Sequence, residues 1–506
     1  MKMLRIVFTF IFILGISTPS FANNLCSNLF SLSYSPAFPS DATTASRVRF
    51  EIENAKRASR LFMKALKRKS DILKRNFYKK IIDLEMVCIG AGPQCASASL
   101  VLGRAGRAAI VIEKTQYIAK TFAEKDFIIN SVETGTLSMH EFPGGVGSLA
   151  NYSSSKYAHS SQLAAYIQGQ QSHSKIPVLL GTTVTSIKEI NIDGKTLVEI
   201  KTDQNITFRT PRLILGTGIG EVASKIPDNN YLMEFNKNHL MHLENPAKIF
   251  PIMCTDTLLI SLKINAKKNK TVTLPKEVII IGDGDGSRIA VEGLIDAHVN
   301  LPQGFKLTWV GNDFRTAVEY VASRGGGDRY IHKIVPLYEN NQIEGTNGKA
   351  EKVDFLENGR MRVTVYNKEK NTRMTVEGDM IIDTTGAQSV SGMLIQSAGE
   401  VRLVDVKGEL KEMNLDSTVL GRQYVTELGR PLPIYAVGPT AGALATKEEL
   451  VNSQNQNPVA IFNTVGRTSV LISNLLGVPP LPSNRGARKE RPPVQKAEDI
   501  VRQINK

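Results

Sequence analysis

Gly90-Ala91-Gly92-Pro93-Gln94-Cys95 is the stretch of this 506-residue chain whose residue types are best placed to do chemistry. Gly90 allows a tight turn. Gly92 bares the backbone, so an anionic group can come close to the amides. Cys95 stands where a third small residue would let a helix pack tightly on a strand. Glu113, about 20 residues on, is spaced to accept hydrogen bonds from ribose hydroxyls. The elements needed to position these residues are present in order. Met86–Ile89 is an apolar strand, Ala96–Gly106 reads as a small-residue helix, and Ala108–Ile112 is a second strand. The helix N-terminus would present free N–H groups and a partial positive charge to phosphates. A dinucleotide-binding βαβ unit is expected, with Gly90, Gly92, Pro93, Cys95 and Glu113 around the ligand.

The pattern returns downstream. Val278–Ile281 is a buried strand, Gly282-Asp283-Gly284-Asp285-Gly286-Ser287 a turn, Arg288–Ala297 a helix and Leu307–Gly311 a second strand. Gly282, Gly284 and Ser287 are the expected contacts of this second unit. Asp283 and Asp285 put negative charge near any phosphates. At the ribose end, Asp313 suits the hydroxyls of NADH and Arg315 the 2′-phosphate of NADPH, so both readings stand.

Three further strands end in small residues. Thr207–Leu215 runs into Gly216-Thr217-Gly218, Gly378–Asp383 into Thr384-Thr385-Gly386, and Pro433–Val437 into Gly438-Pro439. With the two glycine turns, these strand ends resemble the two-dinucleotide-binding-domain flavoproteins. Those are FAD/NAD(P)-dependent oxidoreductases of the flavin monooxygenase, lysine/ornithine N-hydroxylase and thioredoxin-reductase-like kind. The resemblance covers about Leu84–Leu476, at superfamily level. It implies an α/β fold of two nested Rossmann-type dinucleotide-binding domains; a basic helix and a signal peptide, read from the residues themselves, are expected to precede them. Its cofactors would be FAD on the first unit and NADPH or NADH on the second. Gly216, Thr217, Gly218, Gly438 and Pro439 then belong to the flavin site. So do Gly144 and Gly145 of the glycine-rich loop Glu141–Ser148, because flavin proteins place such loops against the cofactor. Gly216 replaces the family's alanine, and Pro439 replaces an Asp that binds the ribityl chain. The fingerprint F-x-G-x-x-x-H and the disulfide reductases' C-x-x-C are missing. The implied reaction is hydride transfer from NAD(P)H to FAD and on to oxygen or another acceptor, acting on a small-molecule substrate. The alternatives are direct oxidation of substrate without NAD(P)H and a non-catalytic nucleotide-binding protein. The flavin carries this chemistry, so no catalytic side chain is named.

The organisation follows: a signal peptide at 1–22, a linker at 23–46 and a basic amphipathic helix at 47–83. A first part of the FAD domain spans 84–220, an NAD(P)-binding-like domain 221–390, the return to the FAD domain 391–478, and a tail 479–506. Lys2 and Arg5, the apolar run Ile6–Ile16 and the small residues of Ser20-Phe21-Ala22 read as a secretory signal. The protein is therefore expected outside the cytoplasm. The formal charge of +14 is concentrated in 47–80, where thirteen Lys and Arg face Glu51, Glu53 and Asp71. That segment is either packed on the body with a solvated face or attached to an anionic membrane surface. No nucleic-acid partner is expected of an exported protein. Cys26, Cys88, Cys95 and Cys254 form no C-x-x-C pair, so no dithiol relay of usual spacing is expected. Cys95, near a helix N-terminus, either has a lowered thiol pKa or is a small buried residue. His239 and His242 lack a third ligand at good spacing, so no metal site is expected.

Overall fold

The computed structural model describes residues 81–482, apart from 124–127, 134–141, 146–156, 219–220, 283, 296–298, 312–336, 338–339, 389–394, 397–400, 411–414 and 444–464. The expected signal peptide, linker and basic helix therefore lie outside the described residues, as do Asp313 and Arg315. None of the described helices is long and apolar enough to cross a membrane.

Two parallel sheets organise the chain, and each is built on one glycine turn. In the first, the parallel strands stand in the order Pro431–Ala436, Leu213–Leu215, Met86–Ile89, Ala109–Ile112 and Val178–Leu179. The antiparallel pair Val401–Leu410 and Leu415–Thr426 extends it at one edge. In the second, the order is Ile252–Cys254, Met380–Asp383, Glu277–Ile281, Lys306–Gly311 and Ile343–Asn347, all parallel. The second sheet is inserted in the chain between Leu213–Leu215 and Pro431–Ala436, which are neighbours in the first. The two connecting segments pair with each other, Glu221–Val222 running antiparallel to Ala387–Gln388.

Both sheets are covered on both faces, which is why their central strands, such as Met86–Ile89, Ala109–Ile112 and Val278–Ile281, are unbroken apolar runs. Met86 and Cys88 pack with the helices Pro93–Arg104, Ser160–His173 and Val465–Leu476. Val87 and Ile89 face the antiparallel meander Val184–Ile192, Lys195–Thr202 and Thr207–Thr210. The second sheet repeats the plan. Val278 and Ile280 face the helices Thr255–Lys267 and Asp285–Leu294. Ile279 and Ile281 face the meander Lys349–Phe355, Met361–Asn367 and Thr372–Gly378, together with the helix Asn229–Glu244.

Several boundaries differ from the sequence reading. The first helix starts at Pro93 and ends at Arg104, because Pro at a first helical position needs no N–H partner. The second helix starts at Asp285 rather than Arg288. The strand-like stretch 178–192 divides between two sheets, a division its residues alone do not mark: Val178–Leu179 closes the parallel sheet, and Val184–Ile192 begins the meander. Periodicity alone cannot assign a short apolar run to one sheet or another. The edge hairpin Val401–Thr426 had no counterpart in the sequence reading.

Candidate functional site

The first glycine turn is held in place by backbone bonds to both neighbouring strands. Gly90 has φ +96°, and its N–H donates to the Ile112 carbonyl at 2.8 Å. A Cβ at Gly90 would lie 2.5 Å from the Gly216 carbonyl oxygen, so only glycine fits. Gly92 is the N-cap of helix Pro93–Arg104, with φ −87° and ψ −176°. A Cβ there would meet only the Gly216 oxygen, at 3.8 Å. The space over Gly92 is open, as an approaching phosphate would require. Glu113 reaches back to the turn. One carboxylate oxygen accepts from the Ala91 N–H at 2.8 Å, and the other from the Thr115 N–H and hydroxyl at 2.9 and 2.8 Å. These bonds fix the carboxylate, and its unused lone pairs remain available to ribose hydroxyls.

Gly216-Thr217-Gly218 and Gly438-Pro439-Thr440 are brought to the same sheet edge by the parallel pairing of Leu213–Leu215 with Ile434–Ala436. The Gly216 N–H donates to the Ile89 carbonyl at 2.9 Å, and the Thr217 and Thr440 hydroxyls meet at 3.4 Å. Pro439 opens the short helix Pro439–Ala443. Three of the expected flavin segments therefore converge at the carboxyl ends of three adjacent strands, where open α/β sheets bind ligands.

Gly144 and Gly145 do not join them as open backbone. A Cβ at Gly144 would lie 2.7 Å from Leu481 Cδ1, and one at Gly145 would collide with Gln170 Oε1. The Gly144 N–H donates to the Pro482 carbonyl at 3.1 Å, and Phe142 packs edge-on to Tyr166 at 5.5 Å. These glycines leave room for the docking of the segment around Leu481. The rest of that loop, 141 and 146–148, lies outside the described residues.

Gln94, which the sequence reading passed over, is 3% exposed at the start of the helix. Its Oε1 accepts from Thr468 Oγ1 at 2.7 Å. Its Nε2 is buried without an acceptor among the described residues and lies beside Gly438. A buried donor left unpaired costs roughly 1–3 kcal/mol. A ligand carbonyl, hydroxyl or phosphate oxygen lying along the Gly92–Gly438 line would relieve that cost. The signal was legible only as a polar residue inside an otherwise small, apolar helix start.

Cys95 is a buried free thiol. The hydrogen-bonding Cys88 thiol beside it, and burial, push its pKa well above the ordinary range. The lowered-pKa reading is thus overturned, because desolvation and a second thiol outweigh the helix N-terminus. Residues 95 and 216 are coupled by packing. A Cβ at Gly216 would lie 2.6 Å from Cys95 Sγ, so the larger residue at 95 leaves room only for glycine at 216.

The second turn repeats the first. Gly282 has φ +124°, and its N–H donates to the Val310 carbonyl at 2.8 Å. Gly284 is the N-cap of Asp285–Leu294, with φ −83° and ψ −174°, and nothing lies within 4 Å of a Cβ there. Thr384 takes the place of Gly216, its N–H donating to the Ile281 carbonyl at 2.8 Å. Ser287 is turned inward, its hydroxyl donating to the Gly284 carbonyl at 2.6 Å. It closes the helix start and is buried. Asp383 is buried, accepting from the Thr385 N–H and hydroxyl at 2.9 and 2.6 Å and from the Tyr231 hydroxyl at 3.1 Å. Burial and this carboxylate push the Tyr231 phenol well above its ordinary pKa. A cavity of about 270 Å³ lies over this turn. Its lining includes Gly282, Gly284 and the residues after three neighbouring strands, with Lys225 and Lys349 at its sides. His242 packs in the core against Phe250, and no metal-binding cluster occurs among the described residues.

No protein-family model matches the chain, and no curated protein matches it. Among solved structures, an ornithine N-hydroxylase from Kutzneria sp. 744 aligns with 78% of this chain and 100% of its own, at 13% identity and a TM-score of 0.50. The bacillithiol disulfide reductase of Staphylococcus aureus aligns with 78% of this chain and 98% of its own, at 13% identity and a TM-score of 0.48. A cadaverine monooxygenase from Erwinia amylovora aligns with 80% and 97%, at 12% identity and 0.49. At such identities the likeness is one of fold. The nested sheets, the repeated glycine turns and the likeness to the ornithine N-hydroxylase together give this chain the fold of the two-dinucleotide-binding-domain flavoproteins.

Proposed function

We propose that this protein is an FAD-dependent oxidoreductase that takes its electrons from a nicotinamide dinucleotide. The observation that carries the reading is the repetition of one phosphate-binding geometry. Gly92 and Gly284 have the same backbone angles within a few degrees, both lie open, and both cap helices at the carboxyl edge of a parallel sheet. Two such turns fit two dinucleotides. The similar ornithine N-hydroxylase structure contains reduced FAD, NADP+ and L-ornithine, which supports the pairing.

On the first unit, the amides following Gly92 would hold the flavin's pyrophosphate, and Glu113 would take the adenosine ribose. Gln94 Nε2 and the Gly438 segment would lie along the chain toward the ring. When bound, the flavin supplies the hydride and electron chemistry. The chain's own contribution is to bind it, orient it and keep water from it. On the second unit, Gly282 and Gly284 would hold the nicotinamide cofactor's pyrophosphate. Electrons would leave to oxygen or another acceptor, with a small molecule as substrate. We place the protein outside the cytoplasm on its N-terminal signal, with the basic segment 47–80 available to an anionic membrane surface.

The test is spectroscopic. Purified protein should be yellow or take up FAD, and anaerobic NADPH or NADH should bleach it. Gly92→Glu should abolish flavin uptake, because its carboxylate would occupy the open space over the turn. A yellow protein that neither nucleotide bleaches would favour direct oxidation of substrate. A colourless protein that cannot be loaded with FAD would refute the proposal.

A further inference from the structure

Seven large apolar side chains are exposed among the described residues, and three of them, Met233, Leu240 and Leu243, share the helix Asn229–Glu244. They are 70%, 62% and 64% exposed, so each keeps most of its surface in water. The helix already has a core face, because Tyr231, Phe235, Asn238 and His242 are buried. Met233, Leu240 and Leu243 lie on the opposite face, with Asn236 among them. Asp228 anchors the start of the helix. One of its carboxylate oxygens accepts from the Asn230 and Tyr231 N–H groups at 3.0 and 3.1 Å, and the other from the Val353 N–H at 3.0 Å. The apolar stripe is thus presented on a helix fixed to the domain.

Met233, Asn236, Leu240 and Leu243 follow one another at alternating steps of three and four residues. That alternation is the one with which a helix packs along a second helix. Single exposed apolar residues are ordinary, whereas a row of them marks a contact surface. The row fits a second copy of the same helix running parallel, because each position then meets itself. Asn236 meets Asn236, so the polar group within the seam pairs amide with amide. Met233, Leu240 and Leu243 form apolar layers around it. His239 of one copy comes beside Glu244 of the other, and Lys237 stays with Glu234 of its own helix at 2.9 Å. The antiparallel alternative sets Asn236 against Leu240 and brings the two Lys237 side chains together. A polar residue in an apolar seam fixes orientation, because only one alignment satisfies it.

We propose that the protein forms a two-fold dimer in which the Asn229–Glu244 helices of two copies pack in parallel through Met233, Asn236, Leu240 and Leu243. The inference is independent of the cofactor reading. One patch serves both copies, so the assembly closes at two. A helix of 16 residues gives a seam of about 24 Å. A contact this short belongs with the smaller interfaces, so association should depend on protein concentration.

Sedimentation velocity of the purified chain at rising concentration tests this. The wild type should pass from monomer to twice that mass. Leu240→Glu sets two carboxylates face to face in the seam and should weaken association by about tenfold or more. Leu240 is exposed in the single chain, so the melting temperature of the dilute monomer should not move. That separates a lost interface from a lost fold. Orientation is read by cross-linking. Parallel pairing brings two Leu243→Cys thiols together, so mild oxidation should give a reducible dimer above the wild-type background. A mixture of Met233→Cys and Leu243→Cys chains should give the two symmetric cross-links and no mixed one, as read by peptide mass spectrometry. A wild type that stays monomeric, or a dimer that survives Leu240→Glu, would overturn the proposal. Mixed cross-links in place of symmetric ones would overturn the parallel arrangement. A monomer that binds anionic lipid vesicles through this face, and loses them with Leu240→Glu, would assign the stripe to a membrane and refute the dimer.

Discussion

Gly216→Ala tests the packing logic of the first turn. The added Cβ would lie 2.6 Å from Cys95 Sγ and 3.7 Å from both the Ile89 carbonyl oxygen and Val437 Cγ2. Only the sulfur contact is too short, since non-bonded atoms of this size settle at about 3.5–4 Å. Cys95 is fully buried, so the sulfur has no free volume to enter, and overpacking of this kind costs about 1–3 kcal/mol. Gly216 does not have a positive φ. Alanine there would otherwise add about 0.4–1 kcal/mol by restricting the unfolded chain. The net expectation for the single variant is a loss of about 0–2.6 kcal/mol. Cys95→Ala alone should lose about 1 kcal/mol through the small cavity left behind. In the double variant the new methyl group enters the space vacated by the sulfur, and stability should return close to wild type. A double-mutant cycle by urea denaturation, followed by far-UV circular dichroism and by release of bound flavin, should give a coupling of about 1–3 kcal/mol. Flavin affinity should follow stability, because the Gly216 carbonyl also forms the wall against which Gly90 turns. Additive effects, with a coupling below about 0.5 kcal/mol, would refute the claim that residues 95 and 216 share one volume.

Gln94→Leu should weaken flavin binding about tenfold by removing the buried donor, while apo stability moves by less than about 1 kcal/mol, because an unpaired amide is removed with the Thr468 contact. Calorimetry of apoprotein with FAD checks this, and unchanged affinity would exclude Gln94 from the site. His242→Phe addresses pH. Burial, with His239 nearby, lowers the folded pKa of His242 below its ordinary 6.5. As pH falls through 6.5 the unfolded chain takes up a proton that the folded imidazole resists, so stability is lost down to the folded pKa. The wild type should therefore lose stability relative to His242→Phe across that window and hold its ground above it. Ser261 Oγ, which donates to the Pro246 and Lys248 carbonyls, is not orphaned by the change. Parallel melting temperatures for the two proteins over the whole range would refute the reading.

The sequence by itself determined the two βαβ units. A strand, a glycine turn, a small-residue helix and a second strand are local in the chain. Each is specified by period, by bare backbone at fixed offsets and by burial on both faces of a sheet. Gly90, Gly92, Gly282 and Gly284 were legible for that reason, and so were the strand ends at Gly216 and Thr384. The tertiary structure decided what those positions meet. Cys95 limits Gly216 across 121 positions, Gln94 reaches Thr468 across 374, and Leu481 fills the space beside Gly144. Lys349 gains its place through a bond from Gly348 to Gly311, two segments separated by 37 positions. Contacts between distant segments leave no periodic trace in either one. They depend on which strands become neighbours, and here an inserted domain separates two neighbours, Leu213–Leu215 and Pro431–Ala436, by more than 200 residues of chain.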